Sequence, residues 1–255
     1  MPKWDDRVLF SFRVHSIAAR PDIMTARSLS LAAVRDSDVS FLRANRALRV
    51  LYLSEANSLQ GIEGLSQVRE LVLIHIPKVH SLEPLAALRD LRILTISTPP
   101  SWDASRKCHE VDSLDPLRSL NNLLSLSLCG IKPIHGRLRP LHQMVGLRAL
   151  SISNVYSFGL HDYADLAAHL PNTVGACLRP CFSMGFEMPC RKCGKQMVGL
   201  TGTRPRTRRI LCLSCDKARL LDHFDAWSQA AGREFPYPQS AEEAGWEPPL
   251  RYIGA

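Results

Sequence analysis

The sequence predicts an α/β chain: a solenoid of short parallel strands backed by 3-10 or short helical turns, then a small cysteine-rich module with a helix. Three observations predict it. Six segments repeat one spacing of apolar residues, a second apolar element recurs between them, and two Cys-x-x-Cys pairs follow the last repeat. The length of 255 residues suffices for one large domain with a small module beside it. With 45% hydrophobic and 22% charged residues, the composition excludes a wholly disordered chain and a fibrous one.

The six segments are Ala26–Leu29–Leu31, Leu48–Leu51–Leu53, Val68–Leu71–Leu73, Leu91–Leu94–Ile96, Leu123–Leu126–Leu128 and Leu147–Leu150–Ile152. Their starts are 22, 20, 23, 32 and 24 residues apart. The alternation inside each predicts a short strand with its two leucine-type residues facing inward. The second element is Ile62-Glu-Gly-Leu65, Leu82-Glu-Pro-Leu85, Leu114-Asp-Pro-Leu117 and Leu138-Arg-Pro-Leu141. Apolar residues continue from it at three-residue steps, as in Leu85–Leu88–Leu91 and Leu141–Met144–Leu147, which suits a 3-10 or short helical turn. In the shortest repeat Leu65 runs directly to Val68, and the longest carries nine extra residues within TPPSWDASRKCHEVD. No single unit can bury its apolar face, so the units must stack. Prolines at 84, 116 and 140, with Ser and Thr inside the strands, argue against a leucine-rich helical bundle.

Residues 26–153 thereby resemble the leucine-rich-repeat family, in its short-repeat, bacterial-looking class. The family's usual Asn or Cys after the strand is replaced here by Ala56, Ile76, Pro99, Ile131 and Val155. Residues 1–25 form an N-terminal cap on this reading, with Val8–Val14 beginning it. Residues 26–181 are the solenoid and its C-terminal cap, in which 169–178 is a worn final repeat. Residues 188–232 are the cysteine module and helix. Residues 233–255 are an aromatic, Pro-rich tail that docks on the solenoid or the module.

The resemblance implies that strand residues flanking the leucines line a concave ligand face. That face has an apolar centre at Val50, Tyr52, Val72, Ile74 and Ile93 beside Thr95, with Ser-rich ends and one charged residue, Glu70. Either a protein partner packs on this centre or the chain's own tail covers it; the sequence leaves both open. Arg27, Arg49, Arg69, Arg92 and Arg148 recur at the second repeat position, broken by Leu124. They could hold an acidic partner, or pack their stems along the repeat edge with their heads in water.

Cys190 and Cys193 are followed, after 18 residues, by Cys212 and Cys215. Two residues between cysteines let a tight turn aim both thiolates at one ion, and two such turns complete a tetrahedral site. Residues 188–216 resemble a zinc ribbon, which implies structural Zn²⁺ held by four thiolates and a hairpin tipped by TGTRPRTRR. Cys177 and Cys181 read as buried thiols of the solenoid cap, Cys108-His109 as part of a surface loop, and Cys129 as an inner-face residue. Asp216 is placed to cap a helix with apolar positions Leu220, Leu221, Phe224 and Trp227, ending near Gly232. Ser240 and Glu243 could cap one final turn.

The formal charge is +8, and residues 189–221 hold nine bases against one acid, so the rest of the chain is neutral. Arg204, Arg206, Arg208 and Arg209 cluster at the hairpin tip, where they could meet a phosphate backbone. The same window has no Phe, Tyr or Trp for stacking bases. No stretch approaches the ~18 apolar residues of a membrane span, and the first residues lack a signal-peptide pattern. Paired cysteines without such a segment point to a reducing, cytoplasmic setting. No nucleophile elbow, phosphate loop or open metal site is present, and the inner-face serines lack a paired base. The sequence therefore predicts a non-catalytic scaffold for a protein partner with the basic ribbon as an auxiliary contact. The alternative is nucleic-acid association through the ribbon; a membrane or small-molecule substrate is not expected.

Overall fold

The computed structural model describes residues 10–11, 21–32, 39–98, 107–153, 158–183, 189–203 and 210–244. They fall into two compact units, Met1–Leu147 with Ser153–Val155, and Arg148–Ile152 with Tyr156–Ala255.

The first unit contains β1 (Phe10–Ser11), β2 (Ser28–Leu31), β3 (Val50–Ser54), β4 (Glu70–Ile74), β5 (Ile93–Ser97), β6 (His109–Val111), β7 (Ser125–Cys129) and β8 (Ile131–Pro133). A short helix, α1 (Pro21–Thr25), precedes β2. Strands β1-β2-β3-β4-β5-β7 lie in that order, and the neighbouring pairs are parallel. This is the α/β solenoid that the repeat predicts. Its register is set by side chains: Leu29, Leu51, Leu71, Leu94 and Leu126 align in one buried row, and Leu31, Leu53, Leu73, Ile96 and Leu128 in a second. A one-residue slip would send both rows to the open side, so the apolar stack fixes the pairing. Each such side chain contributes about 1.5–3 kcal/mol on burial.

Behind the sheet, 3-10 turns occupy Ser40–Ala44, Ile62–Gly64, Glu83–Ala87, Asp115–Ser119 and Arg139–Gln143. Pro84, Pro116 and Pro140 stand in their first residues, where a fixed φ helps and no N–H is needed. Leu65, Leu85, Leu117 and Leu141 point inward from these turns and are fully buried.

The missing Asn or Cys is replaced by main chain. Glu55, His75 and Gly130, each just past its strand, have φ of 53, 52 and 66°. Glu55 N–H donates to Ile74 O, His75 N–H to Ser97 O, and Gly130 N–H to Ser153 O. At the equivalent place in the fourth repeat Thr98 N–H donates to Cys129 O, and its hydroxyl accepts from Ile76 N–H at 3.3 Å. Ala56, Ile76 and Ile131 are thereby free to be core residues. Pro99 and Val155, the other two replacements, lie outside the described residues.

Cys108-His109 does not belong to a plain surface loop: His109 begins β6, which pairs in parallel with β8 in a separate two-stranded sheet. Inserted residues thus re-enter regular structure, because β8 offers an edge to the returning chain. Cys129 is not on the inner face but fully buried at the end of β7. At the N-terminus, β1 lies within the stretch expected to begin the cap and pairs with β2.

β9 (Ala149–Ser153) falls at the boundary, its residues divided between the units. The second unit continues with α2 (Leu160–His169), a 3-10 turn at Ala176–Leu178, β10 (Cys181–Ser183), β11 (Met197–Leu200), β12 (Ile210–Cys212) and α3 (Lys217–Ala231). Val174 makes one parallel bridge to Ala149, all that remains of a strand in the worn repeat. Helix α2 has no counterpart in the sequence reading. It buries Tyr163, Ala164, Leu166 and Ala167, and Asp162 accepts from Gly159 N–H at 2.8 Å to close its first turn.

Strands β10, β11 and β12 form an antiparallel sheet. Its core joins Cys181, Val198, Leu200, Leu211 and Leu213 to Leu220 and Phe224 of α3 and to Ala241 and Ala244 of the tail. Cys181 is therefore a core thiol of this sheet and not of the solenoid cap; burial pushes it up to about 12. Cys177 is buried nearby in sequence, its thiol 3.5 Å from Leu150 O. Leu221, expected on the apolar face of α3, is 39% exposed, whereas Leu220, Phe224 and Trp227 are buried. The helix ends at Gly232, whose φ of 64° suits the left-handed residue that follows many helices. The tail docks on the cysteine module: the Tyr237 ring lies tilted against Phe224 at 5.4 Å and its hydroxyl donates to Leu213 O at 2.6 Å, and Phe235 meets Trp227 edge-on. Glu243 N–H donates to Ser240 Oγ while the Glu243 carboxylate accepts from Gln239 N–H, which caps the last turn.

Candidate metal centre and open sheet face

Two local turns build the cysteine cluster. In the first, Gly194 N–H donates to Cys190 O at 2.8 Å and Cys190 N–H to Lys195 O at 2.7 Å. Gly194 has φ of 72°, the left-handed conformation that reverses the chain without a Cβ clash. In the second, Cys215 N–H approaches Cys212 Sγ at 3.5 Å and Asp216 N–H donates to Cys212 O at 3.0 Å. The Asp216 carboxylate accepts from Cys212 N–H at 2.9 Å and makes no side-chain cap to α3. That corrects its expected role: it braces the second turn instead. The register of β11 and β12, with Met197 opposite Cys212, then brings the turns together.

All four Sγ atoms lie within 4.8 Å of one another. Cys190 and Cys215 are 3.9 Å apart, and Cys193 and Cys212 are 3.5 Å apart. Four sulfurs at the ~2.3 Å zinc–sulfur distance on a tetrahedron are about 3.8 Å apart, so the cluster is compatible with such an ion. Backbone N–H groups of Lys192 and Cys193 bring Cys190 down to about 7, while hydrogen bonding to Cys193 pushes Cys215 up to about 12. Thiols this crowded do not all ionise unless a cation compensates them. The four sulfurs leave no open position of a tetrahedral ion for substrate.

Arg204, Arg206, Arg208 and Arg209 lie outside the described residues, between β11 and β12. On the sheet face of the first unit, Val50, Tyr52, Ile74 and Thr95 are half-buried, Ile93 is exposed, and Val72 is almost covered. Tyr52 donates its hydroxyl to Glu70 Oε1 at 2.9 Å. Burial, then the Glu70 charge, raises the Tyr52 hydroxyl above its usual range. The one acid of this face is thus held by a neighbour. No charged base stands in the strand columns, so the face offers apolar and hydroxyl contacts.

The arginines that recur at the second repeat position are aligned by shared main-chain carbonyls. The N–H groups of Arg49 and Val50 both donate to Arg27 O, those of Arg69 and Glu70 to Arg49 O, and those of Arg92 and Ile93 to Arg69 O. Leu124 and Ser125 do the same to Arg92 O. Strands β3, β4, β5 and β7 therefore each open on a bulge-like step, with an arginine at its first position in β3, β4 and β5. The recurrence of arginine at one repeat position was visible; the shared carbonyl that aligns them was not.

No protein-family model matches the chain, and no curated protein does. Among solved structures, an internalin, InlF, of Listeria monocytogenes shares 16% identity over 60% of this chain and 48% of its own, with a TM-score of 0.41. Internalin C2 of the same organism shares 20% identity over 60% of this chain and 71% of its own, at 0.38. A leucine-rich-repeat protein of Leptospira interrogans shares 13% over 66% of this chain and 40% of its own, at 0.46. The matched part is less than half of the first and third proteins. At these identities and scores they characterise neither a partner nor a chemistry for this chain.

Proposed function

We propose that the chain is a non-catalytic binding scaffold whose open sheet face takes a protein partner, with a structural Zn²⁺ holding the second unit together. The observation that carries it is the face itself: Ile93 is exposed, Val50, Tyr52 and Ile74 are half-exposed, and their one carboxylate is already engaged. Zn²⁺ is supported by four sulfurs within 4.8 Å of one another, in two Cys-x-x-Cys pairs. Capture from a native lysate tests the reading. The wild-type chain should retain one set of proteins, with or without nuclease, and Tyr52→Ala with Ile93→Asp should lose it. Retention of the same set by that variant would remove the face as the binding surface. The charge concentrated at 189–221 favours a second reading, nucleic-acid association. It predicts that nuclease releases everything captured and that neutralising Arg204, Arg206, Arg208 and Arg209 does the same.

A further inference from the structure

We infer that the partner surface is an amphipathic helix with an acidic stripe, its carboxylates held by the ladder Arg27, Arg49, Arg69 and Arg92. This deepens the scaffold reading and rests on it. Shared carbonyls align the four arginines in consecutive strands, so their backbones stand roughly 4.8 Å apart in a line across the sheet. None forms an ion pair with a described carboxylate. Arg27, Arg69 and Arg92 are exposed, and one guanidinium nitrogen of Arg49 is fixed on Arg46 O and Leu48 O. Four like charges in register repel one another, and an anionic stripe removes that repulsion.

The shape of the complement follows from pitch. A helix rises about 5.4 Å per turn, so acids at i, i+4, i+7 and i+11 nearly keep step with rungs roughly 4.8 Å apart. An extended segment shows same-face residues roughly 6.8 Å apart and drifts out of step within a few rungs. The row of Tyr52, Val72 and Thr95 lies three residues further along the strands, roughly 10 Å away, which is the width of one helix. A helix running across the strands would lay its acids on the ladder and its apolar stripe on Tyr52 and Ile93. Tyr52 is the only aromatic residue in these strand columns, which leaves little for stacking bases and favours a protein over a nucleic acid.

Fluorescence anisotropy with the full chain tests this. The probes are a labelled helical peptide of about 15 residues with acids at i, i+4, i+7 and i+11 beside a leucine stripe, a scramble of the same composition, and an oligothymidylate. The helical peptide should bind at least tenfold more tightly than the scramble. Arg69→Glu with Arg92→Glu should weaken it tenfold or more, and Arg69→Gln with Arg92→Gln by less. Circular dichroism and the thermal melt of each variant must match the wild type. Equal binding of the scramble, no binding of the helical peptide, or preference for the oligonucleotide would each overturn the inference. If lysate capture is lost in Tyr52→Ala, Ile93→Asp while the ladder variants change nothing, the face stands and the ladder falls. If neither set changes capture, the scaffold reading itself fails.

Discussion

At the scale of single residues, Asn45 is a buried polar group of the first unit with every amide site engaged. It is fully buried, and its amide makes four bonds: Nδ2 donates to Ile23 O and Ala26 O, and Oδ1 accepts from Ala47 N–H and Leu48 N–H. Asn45→Ala would orphan two carbonyls and two amides at the base of the first repeat. The variant should lose about 2–4 kcal/mol in a urea titration. A second residue sets pH behaviour. His223 lies in the second unit with Nε2 2.9 Å from Pro180 O, and burial lowers its pKa despite that contact. Above about pH 6.5 the ring is neutral both folded and unfolded, so its environment adds no pH dependence there. As pH falls below that, the unfolded chain takes the proton first, and stability declines until the folded ring protonates too. Melting temperature against pH should slope downward on the acid side, and His223→Gln should flatten that slope. An unchanged slope would assign the acid sensitivity elsewhere.

At the scale of elements, the strand-end turns depend on backbone conformation. Gly130 sits at φ 66°, so Gly130→Ala should lower stability by about 1–2 kcal/mol without altering the strands, as thermal melting and circular dichroism would report. The strands and 3-10 turns were legible because one leucine spacing repeats six times and prolines punctuate the turns. The cysteine turns were legible because Cys-x-x-Cys with Gly194 leaves few geometries. Helix α2 was not: its apolar residues at 160, 163, 164, 166 and 167 follow helical spacing, but within a stretch being read for a repeat. The role of Cys181 was hidden for another reason. Pairing of β10 with β11 joins residues on either side of the first Cys-x-x-Cys pair, and no local pattern announces a third strand. Asp216 looked like a helix cap because it precedes α3; its carboxylate found the nearer amide of Cys212.

At the scale of the whole molecule, two compact units predict two unfolding transitions. The second unit's sheet is short, and a bound structural zinc could supply about 10–16 kcal/mol of apparent folding free energy. Chelation, or Cys212→Ser, should lower the transition that reports Trp227 fluorescence and leave the other in place. Elemental analysis of the untreated chain should find about one zinc per molecule. One zinc per chain with no effect of its removal on either transition would leave the ion without a structural role. The main-chain closure of each turn also bears on ancestry. A repeat joined to its neighbours by backbone bonds and leucine rows carries its own splice points, so an in-frame duplication or deletion of one copy would preserve folding while lengthening or shortening the arginine row by one. The protein's lineage could thus vary the length of its open sheet face in whole steps, without inventing a new contact.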